Sequence, residues 1–254
     1  MSKPRITLLQ QSTADVTDEE ILDLYSTPDR SSPWLRVNFI SSIDGAATAN
    51  GLSGDLGSPA DRRVFDLLRR LSDVIVVGAG TVRAEGYGPM RLDDASVEWR
   101  MQHGLPPHPV FAIVSSSLNL DPESAIFTGA PIRPIVVTVD EVSERRRERF
   151  SEVADVLVAG RSSVDTVLMR QSLCRRGLTQ MHCEGGPSFF ADLIREDTVD
   201  ELCLTVRSVL EGPGAPRIVA GAPVELRRDF DVVHALNADD ALLLRYVRKA
   251  AAKV

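Results

Sequence analysis

Residues 74–81 read VIVVGAGT, an apolar run that ends in two glycines and a threonine. Four consecutive β-branched residues favour a buried strand, and the glycines favour a tight turn into a helix whose first N–H groups could hold a phosphate. A dinucleotide fingerprint of the form GxGxxG needs a third glycine, but Arg83 stands in that place. The stretch therefore predicts a strand–turn–helix unit of an α/β protein without a complete Rossmann motif. A plain turn without a ligand remains the alternative.

A second turn from strand to helix follows at residues 183–188, CEGGPS. Gly185 and Gly186 let the backbone approach a ligand closely, and Pro187 suits the first turn of a helix. Ser188 can cap that helix or donate to a phosphate. Because both turns would follow parallel strands at the same edge of a sheet, together they fit one cofactor that carries a pyrophosphate.

The remaining chain alternates between strand and helix patterns. Apolar runs predict strands at 34–40, 74–77, 110–114, 135–139, 156–159 and 181–183. Helical periodicity predicts helices at 60–71, 143–150, 164–176 and 188–195. The inward-facing residues of the first and third helices are expected to be Val64, Leu67, Leu68 and Leu71, and Val164, Val167, Leu168 and Leu173. Alternation of this kind predicts an α/β fold with a largely parallel central sheet.

Both ends of the chain depart from this alternation. Thr17 and Glu20 form a capping-box pattern that predicts a short helix within an N-terminal leader, residues 1–33. Three consecutive strand-like runs at 201–210, 224–236 and 241–248 predict antiparallel strands at one edge of a mixed sheet. No repeat or linker divides residues 34–254, which we interpret as a single domain.

The charge pattern restricts the chemistry. The 254 residues carry 29 Lys plus Arg against 36 Asp plus Glu, a net charge of -7. The only lysines are Lys3, Lys249 and Lys253, which excludes a P-loop lysine or a Schiff-base lysine from the body of the fold. Any bound anion must therefore be held by arginine, backbone N–H groups or hydroxyls.

Composition also bears on partners and compartment. The basic run at 145–149 contains Glu148 and predicts a solvated helix face rather than a nucleic-acid surface. No run of roughly 18 apolar residues predicts a membrane span. Cys174, Cys183 and Cys203 form no CxxC pair and are expected to be buried thiols in a reducing compartment. We therefore expect a cytoplasmic protein that binds neither nucleic acid nor membranes.

A third stretch, residues 38–48, reads NFISSIDGAAT. Asp44 before Gly45 is typical of a turn, and it could equally be a carboxylate that orients or protonates a ligand.

Four blocks in this order resemble the pyrimidine reductase domain of bacterial riboflavin biosynthesis, within the dihydrofolate-reductase-like superfamily. They are residues 38–48, residues 57–69 with Gly57-Ser58-Pro59 and Arg62, residues 76–85, and residues 184–188. The resemblance implies a dihydrofolate-reductase-like α/β fold, NADPH as hydride donor and commonly a homodimer. It also implies a small heterocyclic substrate, 5-amino-6-(5-phosphoribosylamino)uracil, whose ribose is reduced to ribityl.

The resemblance carries site roles onto matching positions. The reacting end would hold Asp44, Glu184 and the residue at position 38, Asn38. The substrate phosphate would be reached by Ser53, Arg69 and Arg91. The cofactor contacts that the resemblance implies are Ser41, Thr81, Glu85, Ser115, Gly186, Pro187, Ser188 and Phe189. The two glycine turns add Gly78, Gly80 and Gly185 as candidate cofactor contacts. From its place after a predicted strand, Arg161 is a candidate ligand for the cofactor 2′-phosphate.

Two departures from the family pattern leave the substrate open. Many members carry lysine where this chain has Asn38, and the loop at residues 86–88, Gly-Tyr-Gly, replaces a more usual Asp-Pro stretch. A dihydrofolate or other pterin reductase is therefore an alternative, and a non-catalytic NADP-binding protein is another. The four histidines and three cysteines do not match the zinc signature of the companion deaminase, so we expect no metal site.

Overall fold

The structure, a computed structural model, describes residues 14–221 and 227–249. Its helices are α1 Asp18–Tyr25, α2 Pro59–Arg70, α3 Ala79–Ala84, α4 Asp94–Gln102, α5 Ala125–Thr128, α6 Glu144–Ser151, α7 Thr166–Cys174 and α8 Pro187–Arg195, with a 3-10 turn at Gly54–Leu56. Its strands are β1 Trp34–Ser42, β2 Val74–Gly78, β3 Val110–Val114, β4 Ile135–Thr138, β5 Asp155–Val158, β6 Gln180–Cys183, β7 Glu201–Arg207, β8 Phe230–Ala238 and β9 Ala241–Arg248.

All nine strands form one sheet in the order β5-β4-β3-β2-β6-β1-β7-β9-β8. The strands from β5 to β7 are parallel, whereas β9 pairs antiparallel with β7, and β8 pairs antiparallel with β9. The predicted α/β class, the mostly parallel sheet and its antiparallel C-terminal strands are confirmed. The first part of the predicted strand at 224–236 lies outside the described residues, and β8 begins at Phe230.

The parallel part of the sheet is covered on both faces. Along β2, Val74 and Val76 join a core with α7 and α8, while Ile75 and Val77 join a second core beneath α3, α5 and α6. Strands buried on both sides need apolar residues at successive positions, because their side chains alternate between the faces. This requirement explains the continuous apolar run at residues 74–77.

The predicted apolar stripe of α2 is confirmed, since Val64, Leu67, Leu68 and Leu71 are all buried. The stripe predicted for α7 is wrong in part, because Val167 and Leu168 are 40% and 43% exposed. Thr166, Met169 and Leu173 form its buried face at i, i+3 and i+7. Sequence periodicity missed α4 because its buried positions are Ser96 and Arg100 rather than apolar residues.

The short helix α1 packs onto the sheet and is preceded by the predicted capping box of Thr17 and Glu20. Its C-terminal carbonyl groups, those of Leu24 and Tyr25, accept hydrogen bonds from the buried guanidinium groups of Arg245 and Arg36. Both guanidinium groups also contact the carboxylate of Glu201, which has no exposed surface. The buried ion cluster of Arg36, Glu201 and Arg245 therefore ties α1 to β1, β7 and β9.

Other predictions concern the surface and the thiols. The basic run at 145–149 lies on α6 and faces solvent along most of its length. Cys183 and Cys203 are buried, whereas Cys174 is partly exposed, and all three are free thiols. Within residues 14–221 and 227–249, no helix is long and apolar enough to cross a membrane, and no three His, Cys, Asp or Glu side chains are grouped to hold a metal ion.

Candidate active site

The two glycine turns lie side by side at the carboxyl edge of the sheet. Strands β2 and β6 are parallel neighbours, and the N–H of Gly78 donates to the carbonyl oxygen of Gly185 at 2.9 Å. Gly185 has a φ of +94°, in the region that favours glycine, and its peptide bond to Gly186 is cis. A Cβ on Gly186 would overlap Oγ1 of Thr81 unless that side chain rotated, so the close approach of the two turns favours glycine there.

Helix α8 starts directly from the second turn. Gly186 is its N-cap residue, and no side chain caps the first N–H groups of the helix. These N–H groups lie at the positive end of the helix dipole, where a phosphate is stabilised. The side chain of Ser188 is exposed in the first turn, and the hydroxyl of Thr81 approaches Gly186. The donor set therefore fits a pyrophosphate group held without lysine.

The other predicted cofactor residues are arranged along the same edge. Ser41 lies near the end of β1, Gly78 and Gly80 follow β2, and Ser115 follows β3 with its N–H bonded to the carbonyl of Val137 at 2.8 Å. Arg161 follows β5, four strand spacings or roughly 19 Å from β6. Its side chain is 88% exposed and lies 3.6 Å from a carboxylate oxygen of Glu141.

A cavity of about 410 Å³ opens beside the glycine turns. It is lined by nine of the predicted site residues: Asn38, Ser53, Arg69, Thr81, Glu85, Arg91, Glu184, Gly186 and Pro187. The cavity is also lined by four residues without a predicted site role: Asp61, Arg62, Phe65 and Tyr87. The predicted residues Ser41, Asp44, Gly78, Gly80, Ser115, Arg161, Gly185, Ser188 and Phe189 do not line this cavity.

Glu184 lies at the inner wall of the cavity, with its side chain 1% exposed. Arg69 clamps both carboxylate oxygens, through Nε at 2.6 Å and Nη2 at 2.8 Å, and the hydroxyl of Tyr87 donates to the same carboxylate at 2.9 Å. Burial alone would raise the pKa of Glu184, but the Arg69 guanidinium outweighs it and holds the pKa below its ordinary value. Glu184 is therefore held in a fixed position as a carboxylate. One edge of the Arg69 guanidinium is occupied by this ion pair.

His182 lies next to this ion pair and has no hydrogen-bond partner on either ring nitrogen among the described residues. Its Nε2 is 3.8 Å from Oε1 of Glu184. Burial lowers the pKa of His182 to about 4, so the ring is neutral near pH 7. It packs as an uncharged side chain beneath the cavity wall.

Asp44 is exposed outside the cavity, although the family resemblance implied a place at the reacting end. Its carboxylate accepts hydrogen bonds from the hydroxyl of Ser42 and from the N–H of Gly212, the latter at 2.8 Å. These bonds lower the pKa of Asp44. In this arrangement Asp44 fixes the chain after β7 against the end of β1, and its role at the reacting end stays a prediction.

Three of the cavity residues share one face of α2. Asp61, Phe65 and Arg69 are spaced by four residues, which places them in a row along the helix, and the carbon of the Arg69 guanidinium lies 4.3 Å from the Phe65 ring centre. The buried apolar stripe of α2 lies directly beside this row. A polar and aromatic row with four-residue spacing beside an apolar stripe is the sequence signal that could have indicated a ligand-facing helix.

Comparison with known proteins assigns the family of this chain. Residues 33–242 match the model of the RibD C-terminal domain. The chain belongs to this family. The predicted membership in the pyrimidine reductase domain of riboflavin biosynthesis is thereby confirmed.

Individual RibD relatives differ in the substrate that their names give. A 2,5-diamino-6-ribosylamino-4(3H)-pyrimidinone 5′-phosphate reductase of Archaeoglobus fulgidus is 26% identical over 85% of this chain and 99% of the relative. The crystal structure of a pyrimidine reductase-like protein of Corynebacterium diphtheriae has a TM-score of 0.83 at 28% identity, covering 92% of this chain and all of that one. A Thermotoga maritima deaminase and 5-amino-6-(5-phosphoribosylamino)uracil reductase shares the fold, with a TM-score of 0.66 at 18% identity over 87% of this chain and 58% of that protein. These relatives are named as reductases or as reductase-like, which agrees with the expected oxidoreductase.

The two departures from the RibD pattern both lie in the cavity. The side-chain amide of Asn38 lines it and has no hydrogen-bond partner within the described part of the chain. In the rebuilt loop, the Tyr87 ring stacks on Phe111 with ring centres 5.9 Å apart, and its hydroxyl reaches Glu184. The changed positions therefore alter the groups that a substrate would meet, while the glycine turns are retained.

Proposed function

We propose that this RibD-family chain is an NADPH-dependent reductase of a ribosylaminopyrimidine 5′-phosphate. The observation that carries the proposal is one cavity that joins an uncapped helix N-terminus at the glycine turns to unpaired arginines. The first feature suits the pyrophosphate of a dinucleotide, and the second suits a substrate phosphate. The names of the RibD relatives support the substrate class.

In this proposal the residues have separate tasks. NADPH would supply the hydride that reduces the ribosyl group to a ribityl group. The N–H groups at the start of α8 and the hydroxyl of Thr81 would hold its phosphates. Arg62 and Arg91 line the cavity and form no ion pair with a carboxylate of the described residues, although Arg91 donates a hydrogen bond to the carbonyl oxygen of Gly129 at 3.3 Å. Both guanidinium groups would therefore bind the substrate phosphate.

Two further residues would set the geometry around the reacting carbon. Arg69 holds the Glu184 carboxylate in a fixed position, which differs from the direct phosphate contact that the resemblance implied. The free amide of Asn38 would hydrogen-bond to the heterocycle, as both donor and acceptor. Fixed polar groups of this kind align a substrate with little reorganisation.

Steady-state oxidation of NADPH tests the proposal. We expect turnover with at least one of the two ribosylaminopyrimidine phosphates that the RibD relatives' names give. Failure of both substrates together with turnover of dihydrofolate would instead establish the pterin reductase, which the replacement of a common lysine by Asn38 favours. Tight calorimetric binding of NADPH without hydride transfer to any substrate would establish a non-catalytic binding protein.

The oligomeric state and location belong to the same proposal. We expect a cytoplasmic homodimer that forms through the free edge of the sheet at β8. This strand is the last of the sheet, and its Val232 and Val233 side chains are 61% and 50% exposed. Unpaired edge strands with apolar side chains favour pairing with another chain. Light scattering after size-exclusion chromatography should give twice the chain mass, and Val232→Lys should shift the protein towards the monomer.

A further inference from the structure

Three carboxylates line the cavity, and two of them are already engaged. Glu184 is clamped by Arg69 and Tyr87. Glu85 accepts hydrogen bonds from the N–H and the hydroxyl of Ser53, at 2.8 and 2.9 Å. Asp61 shares with Glu85 the lack of an ion pair within the described residues, but no backbone N–H of those residues donates to its carboxylate, which is instead near the hydroxyl of Thr205.

Asp61 lies in the first turn of α2, where its backbone N–H donates to the hydroxyl of Ser58 at 3.3 Å. Burial raises the pKa of Asp61 above its ordinary value, although the Thr205 hydroxyl and the guanidinium groups of Arg207 and Arg62 act in the opposite direction. The guanidinium of Arg207 is itself paired with Asp240. A partly desolvated carboxylate without its own cation is costly, and its oxygen lone pairs can accept hydrogen bonds from a ligand.

The substrate names of the RibD relatives describe two heterocycles that differ at C2. The pyrimidinone of the Archaeoglobus fulgidus relative carries an amino group there, and the uracil of the Thermotoga maritima relative carries an oxygen. The 2-amino-4-oxo ring presents N3–H and the 2-amino N–H side by side, which matches the two oxygens of a carboxylate as a guanidinium does. The uracil ring offers N3–H alone, and its neighbouring oxygen would face the carboxylate as a second acceptor.

We propose that Asp61 selects a 2-aminopyrimidin-4-one ring over the corresponding 2,4-dioxo ring by accepting hydrogen bonds from N3–H and the 2-amino group. This inference rests on the proposed function, because that function places the substrate ring in this cavity. Losing one of two charge-assisted hydrogen bonds and bringing two acceptors together is worth about 5- to 150-fold in affinity. A pterin carries the same 2-amino-4-oxo edge, so the chemistry recognised is the edge rather than the rest of the ligand.

The test measures binding by calorimetry in the presence of NADP, so it does not depend on turnover. The probes are 2,5-diamino-6-ribosylamino-4(3H)-pyrimidinone 5′-phosphate, 5-amino-6-(5-phosphoribosylamino)uracil and dihydropterin. We expect the wild type to bind the first probe about 5- to 150-fold more tightly than the second. In Asp61→Asn the preference should fall to within about threefold, because the amide can donate to the C2 oxygen and accept from N3–H.

Asp66→Asn is the matched control. Asp66 lies on the same helix, is exposed and is outside the cavity lining, and burial also raises its pKa. The control removes the same charge from α2 and should retain the wild-type preference. Because Asp61→Asn removes a desolvated charge, its melting temperature should equal or exceed that of the wild type; should this variant fail to fold, Asp61→Ser replaces it.

The outcomes separate this inference from the reductase proposal. Equal binding of the two pyrimidines by the wild type would overturn the inference, as would an Asp61 variant that keeps the preference. A preference that depends on Asp61 without NADPH oxidation would support the inference and refute the reductase. Binding of dihydropterin alone, lost in Asp61→Asn, would support selection of the edge and refute the ribosylaminopyrimidine substrate. No binding of either 2-amino probe by the wild type would overturn the inference.

Discussion

Replacing Glu201 by glutamine tests the buried ion cluster that ties α1 to the sheet. The Glu201 carboxylate lies 2.6 Å from Nε of Arg36 and 3.0 Å from Nη2 of Arg245, and it accepts a hydrogen bond from the Trp34 ring at 2.7 Å. Glu201→Gln keeps the shape of the side chain but leaves two buried guanidinium groups without their counter-charge. Breaking a buried pair in this way costs about 3–5 kcal/mol, a large part of the 5–15 kcal/mol typical of folded proteins.

The pH dependence gives a second magnitude for the free energy that the Glu201 ion pairs contribute to folding. Burial alone would raise the pKa of Glu201, but Arg36 and Arg245 outweigh it and lower the pKa from an ordinary 4.5 to about 2. This difference corresponds to roughly 3 kcal/mol of stability. Because the folded-state pKa is lowered, that stability is complete above about pH 4.5 and is lost as the pH falls towards 2. The buried His182, with its pKa lowered from 6.5 to about 4, makes both proteins progressively less stable as the pH falls from 6.5 to 4, and this loss persists at lower pH. Because both proteins carry His182, its contribution largely cancels in the comparison.

Urea unfolding followed by circular dichroism at several pH values measures the effect. At pH 7 the variant should lose about 3–5 kcal/mol, or about 6–20 °C in melting temperature for a chain of this size. Towards pH 2 the two proteins should converge, since the wild-type carboxylate is then protonated. Amide exchange in α1 should accelerate, because Arg36 and Arg245 also hold the carbonyl groups at its end.

The control removes a surface charge from an ion pair of similar length. Asp192 and Arg195 lie 2.6 Å apart on α8 with their side chains 40% and 44% exposed, so Asp192→Asn should cost less than about 1 kcal/mol. A loss below about 1 kcal/mol for Glu201→Gln at pH 7 would refute the reasoning. A difference that stays constant down to pH 2 would also contradict it, because the charge would then not be the cause.

Three further predictions concern the cavity. Arg69→Met should destabilise the fold by about 3–5 kcal/mol, since it strands the buried Glu184 carboxylate, and adding Glu184→Gln should recover most of the loss in urea unfolding; no recovery would contradict the pairing. Gly186→Ala should cost about 1–3 kcal/mol and weaken NADP binding in calorimetry, whereas Gly80→Ala, whose Cβ meets no atom within 4 Å, should not be destabilising. Asp44→Asn should leave the affinity for NADPH unchanged and lower kcat only modestly, because the amide oxygen still accepts from the backbone; a large fall in kcat at unchanged melting temperature would return Asp44 to the reacting end.

The site was predictable only in part, and the physical reason differs from one residue to the next. Gly186 and Thr81 belong to the two glycine turns, which are local motifs that the sequence shows directly. The role of Arg69 was not predictable, since its partner Glu184 is 115 residues away along the chain. Asp61 carried a weak local signal through its spacing from Phe65 and Arg69, but its lack of a cation depends on side chains from β7.

By itself, the sequence determined the α/β class, the succession of strands and helices and both glycine turns. These properties depend on local periodicity and on backbone freedom, which neighbouring residues encode. Only the tertiary structure decided that β6 lies between β1 and β2, which brings the turns at 74–81 and 183–188 together beside the cavity. Tertiary packing also decided which charges are paired: Glu184 and Glu201 have their guanidinium partners, and Asp61 has none among the described residues. Such pairings join distant parts of the chain, and their free energies depend on burial, which no local pattern specifies.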